Sequence, residues 1–84
     1  MNWIINEHLR EALADPTRSP FCTMERTMYV LGHLVHTEVQ PDGRTRYWGY
    51  IEAIDKYLRV VVENDGQTVI TVHPDRNFQK KRTS

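Results

Sequence analysis

The spacing of apolar positions changes period once along the chain, near residue 27. Between Met1 and Pro16, Ile5, Leu9, Ala12 and Leu13 recur at i, i+4, i+7 and i+8, with Glu7, Arg10 and Glu11 outside the stripe. That spacing predicts an amphipathic helix over about 5–15. Pro16 closes it, because the residue before a proline is pushed out of the α region, and Thr17 to Pro20 reads as a loop. From Thr27 the segments TMYVLGHLVHTEV, RYWGYIEAI, YLRVVVE and QTVITVH are rich in β-branched and aromatic residues. They predict strands over about 27–39, 46–54, 57–63 and 67–73. The links PDG (41–43), DK (55–56) and NDG (64–66) are too short for anything but antiparallel neighbours. The expected fold is α+β, one N-terminal helix packed on one face of a four-stranded antiparallel meander.

Register decides which side chains share a face, since a one-residue slip exchanges the two faces of a strand. In the last hairpin a three-residue NDG loop, with Gly66 left-handed, pairs Val61 with Val69, Arg59 with Thr71 and Tyr57 with His73. The competing two-residue Asp-Gly loop buries His73 and exposes Ile70 and Val72, so the three-residue register segregates apolar from polar better. The Asp55-Lys56 turn then pairs Glu52 with Arg59 and Tyr50 with Val61. The PDG turn pairs Glu38 with Arg46, His36 with Trp48 and Leu34 with Tyr50. One face is expected to carry Leu31, Val35, Ile51, Ala53, Leu58, Val60, Val62, Ile70 and Val72 against the helix. The other carries Leu34, His36, Trp48, Tyr50, Glu52, Arg59, Thr71 and His73.

Composition narrows the class. A chain of 84 residues is too short for a second independent core, so 1–84 reads as one domain. With 39% hydrophobic and 26% charged residues it belongs with ordinary globular chains. Eleven basic and eleven acidic residues cancel, which removes bulk charge as a reason to bind nucleic acid; a basic tail over 76–84 with Arg76, Lys80, Lys81 and Arg82 leaves a local one. No run approaches the roughly 20 apolar residues that span a bilayer, and no leader pattern opens the chain, so a cytoplasmic protein without membrane contact is expected. Cys22 is alone and reads as a semi-buried small hydrophobe rather than a nucleophile. His33 and His36 form an H-x-x-H that a strand would send to opposite faces, so no metal is expected. No glycine-rich phosphate loop, nucleophile elbow or CxxC pair suggests a cofactor.

The polar face lines up Glu52, Arg59 and Thr71, with His73 one pleat along and Tyr50 and Trp48 behind. Arginine holds a phosphate through parallel hydrogen bonds, histidine or glutamate moves protons near neutral pH, and aromatic rings stack unpaired bases. The same row also suits a plain solvated face, because a cross-strand Glu–Arg pair and a strand threonine are common there.

A helix ending in Leu13-Ala14-Asp15-Pro16, then LRVVV (58–62) and VITV (69–72) joined through a glycine turn, resembles the barnase/EndoU/colicin/RelE (BECR) superfamily of small ribonucleases, in its prophage-associated toxin-like branches. The resemblance implies metal-independent RNA cleavage, in which the ribose 2′-hydroxyl attacks the adjacent phosphate, on the sheet face opposite the helices. By the resemblance Arg59, Thr71 and His73 match family positions; the roles expected are His73 as general acid or base, Arg59 on the scissile phosphate, Thr71 donating a hydrogen bond to it, and Glu52 as second proton-transfer group or as the partner orienting Arg59. Trp48 and Tyr50 would stack bases, while Lys56, Arg76 and Lys80 would contact phosphates. The family's basic or imidazole group near the first helix would be His8 or Arg10, although the derived topology puts that helix on the far side. RNA, and an antitoxin or immunity protein, are the implied partners. The alternative is a non-catalytic module whose aromatic face binds a protein or single-stranded nucleic acid.

Overall fold

The structure, a computed structural model, describes residues 2–78. It is α+β, with two helices and a five-stranded mixed sheet. In chain order the elements are β1 (Ile4–Ile5), α1 (Glu7–Leu13), α2 (Met24–Gly32), β2 (His36–Val39), β3 (Thr45–Ile51), β4 (Lys56–Val62) and β5 (Thr68–Pro74). Strands β2 to β5 form the antiparallel meander, and β1 adds to β5 in parallel, giving the order β1-β5-β4-β3-β2.

The first helix begins where Asn6 caps it, its side-chain oxygen accepting from the backbone N–H groups of His8 and Leu9 at 3.0 and 3.4 Å. Ile5, assigned above to that helix, lies instead in β1. The second helix corrects the expected strand over 27–39: only His36–Val39 is strand. Thr23 caps this helix by accepting from Arg26 N–H at 3.1 Å, and Thr27, fully buried, donates its hydroxyl to the Thr23 carbonyl at 2.8 Å. Thr27, Val30 and Leu31 then face the sheet, a helical spacing that outweighs the β-propensity of Tyr29 and Val30. His33 accordingly sits at the end of α2, its ring stacked on Tyr29 at 4.0 Å, and not on a strand.

Gly49 sets how closely α2 approaches. A Cβ there would lie 3.0 Å from the Val30 Cα, so only glycine lets the helix axis come this near to β3. Beneath the two helices lies the aliphatic core: Leu9, Leu13, Val30, Leu31, Ile51, Leu58, Val60, Val62, Val69 and Val72, with Cys22 at its margin. Burial of this kind contributes about 1.5–3 kcal/mol per large aliphatic side chain.

The PDG hairpin has the expected register, with His36 opposite Trp48 and Glu38 opposite Arg46. The other two hairpins do not. A short 3₁₀ turn, Glu52–Ile54, and a left-handed Asp55 (φ 51°) lengthen the β3–β4 link, so Trp48 rather than Glu52 faces Arg59, and Tyr50 faces Tyr57. In the last hairpin Glu63 N–H bonds the Thr68 carbonyl at 2.8 Å around a longer loop that the Asp65 carboxylate caps. A bulge between Val61 and Val62 follows, so that Val62 faces Val69 while Arg59 faces His73. The bulge resolves the conflict between the two registers weighed above: Val69 enters the core in place of Ile70, and His73 stays outside it. Ala53 and Val35, expected in the core, are exposed.

Candidate functional site

The ladder registers create one row across four strands on the face opposite α1 and α2: His36, Trp48, Arg59 and His73. The next row runs Glu38, Arg46, Val61 and Thr71. Arg59, Thr71 and His73 therefore share a face as expected, although Arg59 neighbours His73 and not Thr71. The Thr71 hydroxyl and His73 Nε2 lie 2.7 Å apart and share a hydrogen bond, which fixes the imidazole orientation.

This face is not open along its length. After β5 the segment Asp75–Phe78 folds back across it, and Phe78 stacks on Trp48 with ring centroids 5.1 Å apart and planes 15° from parallel. His36 and Tyr57 close in on Phe78 from either side at 5.5 and 5.1 Å. Trp48 is left 1% exposed and Phe78 2%. Trp48, expected to stack bases, is thus a buried anchor, because the cover comes from a segment that no periodicity announces.

Asp75 pins the strap. Its carboxylate accepts from Trp48 Nε1 at 2.9 Å and from Asn77 N–H at 3.0 Å, and lies 3.7 Å from Arg59 Nη1, while its own N–H donates to the Tyr57 carbonyl at 2.9 Å. Burial alone would raise this carboxyl; the indole and backbone donors and the Arg59 charge outweigh it and hold the group below the ordinary aspartate value of 3.8. Among the described residues the buried Arg59 Nε has no hydrogen-bond partner.

The open part of the site lies where this face turns over the β5 edge. Because β1 is short and pairs only with Thr68 and Val69, the rest of β5 has no strand neighbour among the described residues on that side. The helix α1 and the loop that follows it wall off a cleft of about 330 Å³ there. His8, Arg18, Thr71, His73 and Pro74 line it, over an apolar floor that includes Ile70. As expected, the first helix packs on the face opposite His73, with Leu9 and Leu13 in the core; His8 nevertheless lines the same cleft, because an edge, unlike a face, is reached from both sides. Arg10 does not line this cleft. Arg18 escaped the sequence reading, since a lone arginine in a loop carries no pattern.

Pro74 also walls a second depression of about 310 Å³, lined by Tyr50, Asp55, Lys56, Tyr57, Asp75 and Arg76. It gathers three of the expected substrate contacts, Tyr50, Lys56 and Arg76. Tyr50 donates its hydroxyl to Asp55, which raises the phenol above its ordinary value, and Lys56 Nζ lies 4.8 Å from the Phe21 ring centroid. Glu52 belongs to neither depression; it lies in the 3₁₀ turn beside Glu25, Arg26 and Tyr29. The longer turn displaced it from Arg59, and Arg59 takes Asp75 as its acidic neighbour instead. Lys80 lies outside the described residues. Buried Cys22 has its thiol pushed up by burial, which favours the unreactive protonated form.

Among the described residues no group of three or more His, Cys, Asp or Glu is arranged to hold a metal ion, and no helix is long and apolar enough to cross a membrane. The class defined by fold and site is an α+β domain with a histidine-lined cleft at an open strand edge. Comparison of the chain with protein-family models, with curated proteins and with solved structures gives no match.

Proposed function

We propose that this chain is a small metal-independent ribonuclease of the BECR kind, a cytoplasmic toxin-type enzyme that an antitoxin or immunity protein restrains. The observation that carries this reading is the edge cleft, in which His8 and His73 line one cavity with Arg18 and Thr71 between helix and strand. Two imidazoles supply the base and the acid that transesterification needs. One takes the proton of the ribose 2′-hydroxyl as O2′ attacks phosphorus; the other protonates the departing 5′-oxygen, leaving a 2′,3′-cyclic phosphate. Arg18 neutralises the charge that develops on the phosphoryl oxygens, and the Thr71 hydroxyl holds His73 in place. Lys56 and Arg76 in the adjoining depression suit the next phosphate along the strand, with Tyr50 beside them for a base.

The non-catalytic reading keeps only Tyr50 of its two aromatic platforms, since Trp48 lies beneath Phe78. Cleavage of a fluorophore–quencher RNA in the presence of a chelator tests the enzyme reading. His73→Ala and His8→Ala should each lower the rate by about 10²–10⁴-fold, with unchanged thermal unfolding. A wild-type protein that leaves RNA intact and host growth unaffected, or variants that cleave as fast as wild type, would overturn it.

A further inference from the structure

The strap Asp75–Phe78 sets on the sheet the two things a nucleotide would bring there, a flat ring and an anion. Phe78 lies over Trp48 with planes 15° from parallel, between His36 and Tyr57, whose rings stand 5.5 and 5.1 Å from it. With Phe78 withdrawn, these residues form a slot with an indole floor and aromatic walls, the setting in which an unpaired base stacks. Arg59 faces Trp48 across the β3–β4 ladder, and the Asp75 carboxylate stands before its guanidinium.

That carboxylate fits Arg59 poorly. Asp75 Oδ2 lies 3.7 Å from Arg59 Nη1, beyond hydrogen-bond distance, because the same oxygen is held at 2.9 Å by Trp48 Nε1 and the other by Asn77 N–H at 3.0 Å. The buried Arg59 Nε has no acceptor among the described residues. A buried donor left unpaired is destabilising, so a better-placed anion would recover what is lost here. A phosphodiester does this well, since a guanidinium takes its two free oxygens through parallel N–H bonds, here from Nε and the adjoining Nη.

Little main chain holds the strap. Among the described residues its one backbone bond to the sheet runs from Asp75 N–H to the Tyr57 carbonyl, just past the end of β5 at Pro74. The rest of the hold is the Phe78 stack and the Asp75 carboxylate, and a base with its phosphate replaces each by a contact of the same kind. A ligand that binds only the open form pulls the equilibrium toward it, and binds more weakly in proportion to how seldom the strap is open.

We infer that the strap is a built-in stand-in for substrate, closing a subsite in which Trp48 stacks one base of single-stranded RNA and Arg59 binds the phosphate beside it. This rests on the ribonuclease reading and extends it. Arg59 faces His73 in the β4–β5 ladder and His73 lines the edge cleft, so the RNA strand runs from the cleft onto this face when the strap lifts.

Binding without cleavage tests this. In a Trp3→Phe background, Trp48 emission follows titration with a 2′-O-methyl oligoadenylate, which lacks the attacking hydroxyl. Phe78→Ala, shown folded by circular dichroism, should bind it about tenfold tighter than the Trp3→Phe parent, with Trp48 quenched. Asp75→Asn, which removes the competing charge, should bind about threefold tighter. Adding Arg59→Gln to Phe78→Ala should remove the gain. Adenosine and inorganic phosphate should each compete poorly, since each carries half of the ligand. Adenosine monophosphate that binds Phe78→Ala as tightly as the oligonucleotide would assign the site to free nucleotides and overturn the RNA assignment. A folded Phe78→Ala that binds no tighter than its parent, or a gain that survives Arg59→Gln, overturns the inference; if Phe78→Ala does not fold, unchanged affinity in Asp75→Asn does so. Cleavage is read separately: a chain that binds as expected and cuts no RNA keeps the subsite and loses the ribonuclease reading.

Discussion

On the helix side of the sheet, Leu58, Val60 and Val62 are sealed by α1 and α2, elements with their own caps and hydrogen bonds; on the other side, Trp48 is covered by the strap Asp75–Phe78. Both centres are dry, but they depend on different things. The aliphatic core rests on many interchangeable contacts, whereas the aromatic one rests on a small group of rings, Trp48, Phe78, His36 and Tyr57, and one carboxylate. A face sealed this way can be as stable as a core at its centre and still leave polar groups accessible at its margin. His73 and Arg59 occupy that margin, between the buried indole and the open cleft.

The contrast breaks most sharply at Trp48. If the strap makes a second core, Trp48→Ala costs about 3–5 kcal/mol in urea unfolding, comparable to about 2–5 kcal/mol for Leu58→Ala. If that face were merely solvated, the loss would stay within about 0.5 kcal/mol. On the helix side, Gly49→Ala places a methyl group against Val30 and costs about 1–3 kcal/mol by the same measurement.

Acid separates the two sides by mechanism. The folded-state carboxyl of Asp75 is held below the ordinary value of 3.8, so its contribution is complete above that value and fades as pH falls below it. In a Trp3→Phe background, Trp48 emission should shift red at the acid end of this range, with the aliphatic core still folded. Asp75→Asn, which keeps an acceptor for the indole and loses the charge facing Arg59, should remove much of that pH dependence. Unaltered pH dependence in Asp75→Asn would show that the carboxylate does not hold the strap. The smallest effect is expected at Gly32, where an added Cβ meets nothing within 4 Å: Gly32→Ala should stabilise α2 by up to about 1 kcal/mol.

The sequence carried the faces better than the partners. Both misjudged hairpins were off by an even number of residues around Arg59, which exchanges neighbours but preserves sides. Arg59, Thr71 and His73 therefore kept company while Glu52 was lost to a longer turn. The PDG hairpin was legible because Gly43, at φ 91°, adopts the conformation its turn requires. The helix α2 was not, because Thr27, Tyr29 and Val30 have strand-like propensities that burial against Gly49 overrides. Two tertiary events left no local trace: the strap that buries Trp48, and the parallel β1 that swings α1, and His8 with it, to the edge of β5.

That parallel pairing also orders events in time. It joins Ile4 to Thr68, 64 positions later, by far the longest closure in a sheet otherwise built from neighbouring hairpins. Closure entropy and contact order make such a pairing late. The meander should form while the first dozen residues are still searching for their place, and during synthesis they must wait until β5 leaves the ribosome. The cleft should therefore form after the meander. A partly made chain carries His8 and lacks the wall that His8 needs.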